Sequence, residues 1–380
     1  MAMSFASLRE NRPLRNLSLL AVAAVVAVIA ATIAVITDES SVRTAFVPHP
    51  LFAGLDTKLD RVDRIVYTAS QGLSGETKIG MTRGPENQWG VDARAGYPAN
   101  PALIKKTLLG VAEMEAYEPR TANPEWHRNL GLLKPEDIGS AVRIEFFQGR
   151  DERVAALLVG KVPERAVDVK GEGLIYVRRD GEDQSWLARG RVPLYKSAAE
   201  WLDPAFIDIP GSDLARVTLW ANTEKFVTIA RANKAEADFA IANPPEGRVT
   251  RGAPVVNKVA TVLIDAKFDD VAPEETLEFP DSSPVATFET FEGLRLTMRM
   301  AGQGGALWAK FDAATDPSLV PEGTDMSVAE KHAATLNARL GKWVYKLPTD
   351  LGNQLTQTMD LLTREAGPAD AASAPSAPRD

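Results

Sequence analysis

The chain contains no cysteine. That absence removes disulfides, thiolate metal sites, cysteine nucleophiles and a lipid-modified N-terminal cysteine together. Histidine is nearly as scarce, with His49, His127 and His332 the full complement. No pair has His-x3-His spacing, so a histidine-based metal site is not expected. Each reads as an ordinary surface side chain rather than a catalytic base. There is no Gly-x-Ser-x-Gly elbow and no Ser-x-x-Lys at a helix start, so no activated serine is assigned. The glycine cluster Gly302-Gln303-Gly304-Gly305 precedes a strand-like segment, not a helix. It therefore reads as a hairpin turn and not as a phosphate cradle. The acidic stretch Asp265, Asp269, Asp270, Glu274 and Glu275 contains Pro273. It lacks the alternation and central glycine of a calcium loop, and reads as a solvated loop. Paired carboxylates for glycoside cleavage leave no local signature. No catalytic, cofactor-binding or metal-ligating residue is assigned, and the expectation is a non-enzymatic protein without a cofactor.

One apolar run dominates what is present. From Leu17 to Ile36 the chain is apolar except for Ser18 and Thr32. At about 1.5 Å rise per residue, such a run in helical form is about 30 Å long, the thickness of a bilayer core. Arg9, Arg12 and Arg15 precede it, and Asp38 and Glu39 follow. Basic residues stay on the cytoplasmic side. The expected layout is a cytoplasmic N-terminus (1–16), a transmembrane anchor in the bacterial inner membrane (17–37) and a periplasmic remainder. Two alternatives are a cleaved signal peptide and a buried soluble helix. The run is longer than a signal core, and its Ala21-Val22-Ala23 triplet lies too early for cleavage. Ala23, Ala27 and Ala31 offer a small-residue stripe, although alanine is common in such spans.

The formal net charge is −8, and Arg9, Arg12 and Arg15 against Glu10 give the first 37 residues +2, so the exported part carries −10. That balance disfavours nucleic acid as a partner. Residues 38–60 read as a connector, extended around Pro48-His49-Pro50. Residues 366–380, rich in Ala, Pro and Ser and without large apolar side chains, read as a disordered tail.

Between connector and tail lies an internal duplication at an offset near 150 residues. Val62 to Tyr67 matches Leu214 to Leu219, Glu76 to Arg83 matches Glu224 to Arg231, and Trp89-Gly90-Val91 matches Phe239-Ala240-Ile241. A helix follows in each copy. The first is opened by Pro101, with Ile104, Leu108, Val111 and Met114 as its stripe. The second is opened by Pro254, with Val255, Val259, Val262 and Ala266. Lys105 and Lys258 stand at matching places and read as solvated. Three further strands around 143–147, 154–159 and 174–178 match 286–290, 294–300 and 307–311. Trp186-Leu187 with a helix through Trp201 matches Trp343-Val344 with a helix through Leu361. The second copy adds a helix from Ser327 to Leu340, with Ser327 as its expected cap and Glu330 three residues on. The expected fold is α+β: two tandem related units, 61–210 and 211–365, each a mostly antiparallel sheet with helices on one face. Trp89, Trp186, Trp308 and Trp343 read as core anchors, with a sugar-stacking platform as the alternative.

One N-terminal span, then Pro50-Leu51-Phe52, a strand at Ile65, the Trp-x-Val element at Trp89 to Val91, a helix, and Leu194-Tyr195-Lys196-Ser197-Ala198-Ala199-Glu200-Trp201-Leu202-Asp203 together resemble an uncharacterised bacterial family, domain of unknown function 4340. The resemblance covers most of 50–363. It implies an envelope accessory of an ABC transporter with a gliding-motility-type auxiliary subunit, and the partners it implies are that transporter's permease or auxiliary subunits. It carries over no catalytic residue. The helix at 327–340 departs from the equal-sized plan. A periplasmic module binding glycan or lipid in a cleft between the units is the second reading, and a hydrolase with a dispersed site is a third.

Overall fold

The computed structural model describes residues 22, 24–29, 46–149, 151–207 and 209–367. Of the apolar run, only Val22 and residues 24–29 fall within this set. They are helical and solvent-exposed. The rest of the proposed anchor, including Ala23 and Ala31, lies outside the described residues, as does almost all of the tail. Among the described residues no helix is long and apolar enough to cross a membrane.

The fold is α+β, built from antiparallel sheets and few helices. The first sheet contains β1 (His49–Pro50), β2 (Arg64–Ser70), β3 (Glu76–Arg83), β4 (Trp89–Val91), β5 (Tyr97–Pro98), β6 (Glu115–Pro119), β7 (Val142–Gln148), β8 (Glu152–Val159), β9 (Leu174–Arg179) and β10 (Ser185–Arg189). Their spatial order is β1-β6-β10-β9-β8-β7-β2-β3-β4-β5. The second sheet contains β11 (Leu214–Leu219), β12 (Val227–Ala230) and β13 (Ala240–Ile241). After β14 (Arg248–Thr250) it continues with β15 (Asp270–Pro273), β16 (Val285–Thr290), β17 (Leu294–Gln303), β18 (Ala306–Thr315) and β19 (Trp343–Lys346). Its order is β13-β12-β11-β16-β17-β18-β19-β15, and β14 pairs separately with β20 (Thr363–Glu365).

The two orders coincide strand for strand. Reading from β6 to β4 in the first sheet and from β15 to β13 in the second gives the same succession of equivalent strands. The duplicated segments thus occupy equivalent places in their sheets. Period-2 burial explains the pairing. Ile65, Tyr67, Ile144 and Phe146 face one core, as do Val217, Leu219, Phe288, Leu296 and Met298 in the second sheet. Gly304 and Gly305 form the two-residue turn between β17 and β18, both with positive φ (60° and 76°), the conformation a tight hairpin of this type requires.

Helix α1 (Pro101–Ala112) starts where Asn100 accepts hydrogen bonds from the Ala102 and Leu103 amides, with Pro101 in the first turn. Its buried Thr107 hydroxyl meets the Tyr67 hydroxyl at 3.0 Å, locking the helix to β2. Helix α2 (Ala253–Ala260) buries Val256, Val259 and Ala260 and leaves Val255 exposed. The expected stripe through Val255 is therefore displaced by one residue. Gly252, at φ 124°, sets the entry angle of the helix and so the phase of its apolar face. Helix α3 (Ser327–Leu340) spans the expected residues, but Ser327 is not its cap. The Asp325 carboxylate accepts the Ser327 amide at 2.9 Å instead.

The four expected tryptophan anchors are each half-buried. The fully buried indole is Trp201, packed on Tyr67 with ring centroids 4.5 Å apart. Trp201 lies in the Ala198–Trp201 turn, which carries its ring into the core. The segment read as connector already belongs to the body: β1 pairs with β6, and Leu51 and Leu55 are buried. Both sheets share one contiguous apolar core. Between them, Phe206, Phe268, Phe311, Tyr345 and Tyr97 meet mostly edge to face, with centroids 5.1–6.1 Å apart.

Candidate binding cleft

The residues singled out in the sequence for chemistry are dispersed over the fold. His49 opens β1, with its ring 5.3 Å from Phe46 and edge-on to Trp186. His332 lies on α3. His127, expected at the surface, is buried, and its Nε2 lies 2.8 Å from the Asp183 carbonyl oxygen. The turn around Trp126 folds back on the β9–β10 hairpin and carries the imidazole inside. The acidic stretch is likewise not a plain solvated loop. Asp270 starts edge strand β15 and grips Arg94, while Glu274 pairs with Lys310 at 3.2 Å. No group of three or more potential metal-ligating side chains is found among the described residues.

A cleft of about 660 Å³ lies where the two units meet. Its first wall is the β4–β5 ribbon. Gly90 allows that ribbon to close: a Cβ there would stand 2.6 Å from the Gly96 carbonyl oxygen. The chain then turns through Ala95 (φ 52°) and Gly96 (φ 80°) and delivers Tyr97 opposite Val91. The turn before β4 contributes Glu86, Asn87 and Gln88. The floor carries Asp203, whose amide donates to the Pro98 carbonyl at 2.8 Å and whose carboxylate accepts the Ala205 amide at 3.1 Å.

The opposite wall is α3 with the start of β19. Ala329, Ala333, Leu336 and Leu340 bury one face of the helix. Asn337 clamps it to β18: its side chain accepts the Ala313 amide at 2.8 Å and donates to the Ala313 carbonyl at 2.7 Å. Thr335, Ala338 and Arg339 are left on the cleft. Arg339 is exposed and makes no hydrogen bond or ion pair among the described residues. Trp343 completes this wall, with its indole 5.2 Å from the Tyr97 ring and nearly perpendicular to it. Burial pushes the Tyr97 phenol up to about 12 and drives that of Tyr345 in the same direction.

A family model described as a domain of unknown function, DUF4340, matches residues 89–283, just over half of the chain. The chain belongs to this family. No curated protein and no solved structure matches it. The DUF4340 match begins at Trp89 and crosses from the first sheet into the second, ending at Ser283. It includes Trp89, Tyr97 and Asp203 of the cleft, while Arg339 and Trp343 stand beyond it.

Tyr97 and Arg339 were not singled out in the sequence, and Asp203 stood there only as the last residue of the Leu194–Asp203 motif. One signal pointed at this wall: α3 is the element the first copy lacks. In the first copy, the β9–β10 connection is a short turn after Arg179. A second hollow of about 790 Å³, walled by Trp220, Phe226, Pro245 and Met359, lies within the second unit alone.

Proposed function

We propose that this chain is a non-enzymatic envelope protein, anchored in the bacterial inner membrane through residues 17–36 with its N-terminus in the cytoplasm. Its two fused periplasmic units hold an ABC-transporter-type complex through the permease or auxiliary subunits. One observation carries this reading: β1 joins the first sheet only twelve residues after the apolar run ends. Fully extended, the intervening 37–48 reach at most about 40 Å. A body tethered that closely stays beside whatever its anchor packs against in the bilayer. Membership of the DUF4340 family and the acidic balance of the exported part agree with this role. Purification of the full chain from mild detergent after cross-linking is expected to recover transporter subunits. Recovery of the protein alone would count against the reading.

The inter-unit cleft favours a second reading, a periplasmic module that binds a glycan or lipid. Such pockets commonly hold about 300–1,000 Å³ and sit where units meet. A thermal-shift screen with envelope glycans and lipids tests it. Stabilisation by one class supports it, and no shift at millimolar ligand removes it.

A further inference from the structure

The residue types around the inter-unit cleft are selective. Its apolar surface comes from the rings of Trp89, Tyr97 and Trp343 and from alanine and proline, and no leucine, isoleucine, valine, methionine or phenylalanine lines it among the described residues. An acyl chain seeks long aliphatic walls. Flat aromatic surface beside planar polar groups suits a different ligand. A pyranose ring presents a face of C–H bonds that packs on an indole. Its edge carries hydroxyls, each both donor and acceptor, which Asn, Gln, Asp and Glu side chains match in pairs. Glu86, Asn87 and Gln88 supply such groups on the wall of Trp89, and Asp203 supplies one on the floor between the two indoles.

Arg339 narrows the class further. It stands on the cleft as a cation without a partner among the described residues, held in place by the Asn337 clamp two residues earlier. A guanidinium placed this way takes a carboxylate in a two-pronged, charge-assisted contact. We propose that the cleft binds an acidic sugar, with the ring against Trp343 and Trp89 and the sugar carboxylate on Arg339. This rests on the reading of the cleft as a binding site and adds the class of its ligand. The site exists because the second copy acquired α3, so it has no equivalent in the first unit.

Full-length protein in detergent is titrated by intrinsic tryptophan fluorescence and by calorimetry. The probes are an oligogalacturonide, an N-acetylmuramic-acid disaccharide and neutral maltohexaose. At least one acidic probe is expected to bind at submillimolar concentration and more tightly than maltohexaose. Which acidic probe binds distinguishes a uronic acid from a cell-wall sugar as the source of the carboxylate. Arg339→Gln, an exposed substitution with an unchanged melting temperature, is expected to weaken the acidic probe about tenfold or more and to leave maltohexaose unaffected. Trp343→Ala is expected to weaken both, with partial recovery in Trp343→Phe. Equal binding of acidic and neutral probes, or an acidic probe indifferent to Arg339→Gln, overturns the proposal. A lipid or peptide that binds and is weakened by Trp343→Ala overturns the sugar class and leaves the cleft a binding site. Absence of any ligand in the thermal-shift screen overturns both.

Discussion

Arg94 and Asp270 join the two units through a two-pronged ion pair. Arg94 Nε donates to one carboxylate oxygen of Asp270 at 2.6 Å, and Arg94 Nη2 donates to the other at 2.8 Å. Their side chains are about three-quarters buried (27 % and 26 % exposed), and the hydrogen bond to Asp270 raises the Arg94 pKa. Each single substitution, Arg94→Ala or Asp270→Asn, is expected to cost about 1–2 kcal/mol. A double-mutant cycle by urea denaturation checks the coupling. Additive effects of the two substitutions would remove the pair as a link between the units.

The Asn337 clamp is the second test. Asn337→Ala deletes both hydrogen bonds to Ala313 and leaves its buried backbone groups without these partners. The expected loss is about 2–3 kcal/mol, together with faster amide exchange along α3. Exchange in α3 unchanged from the native protein would show that the helix is held by its apolar face alone.

Gly90 gives a steric test. Its Cβ position is filled by backbone, not by a side chain that could swing away. Gly90→Ala is expected to destabilise by about 1–3 kcal/mol and to shift tryptophan emission, because Trp89 and Tyr97 flank the contact. An unaltered melting temperature would contradict the close approach of the ribbon.

Alkaline pH provides the fourth. Burial raises the Tyr97 phenol from 10.0 to about 12 and also raises Tyr67 and Tyr345. The folded state therefore favours the protonated phenols. Their effect on stability is absent below pH 10, where folded and unfolded chains are both protonated. As pH rises from 10 through 12, the unfolded chain ionises first and stability falls. Phenolate absorbance and circular dichroism are expected to change together in that window, with a smaller pH dependence in Tyr97→Phe. Complete tyrosine ionisation near pH 10 with the fold intact would refute the burial.

Much of the sheet structure was legible because alternation repeats at a constant offset, as in Glu76–Arg83 and its partner segment. What escaped depended on distant partners. His49 and Pro50 make a strand because Glu115 and Ala116 offer them an edge, and no local pattern announces a two-residue strand. Asp270 to Pro273 looked like a loop because its charges and proline disguise an edge strand, a place where both are tolerated. Met326 holds the N-cap position of α3 without a side-chain bond, and Asp325 just before it accepts the Ser327 amide. Ser327 does not cap the helix, because a cap depends on backbone angles that composition does not reveal. The cleft was hidden for a similar reason: Trp89 and Trp343 face one space although most of the chain separates them. Each alone reads as packing.

The link between Arg94 and Asp270 runs in one direction. Strands β6 and β15 hold equivalent edges of their sheets. The turn carrying Arg94 lies against β15, whereas the matching edge β6 is occupied by β1. A head-to-tail contact that can recur has no natural end and tends toward open polymers. Here two residues, His49 and Pro50, sit on the edge against which a third unit would lie, and a proline in that rung discourages any other strand from adding. The segment that leads from the N-terminal run into the body thus also closes the open edge of the first sheet.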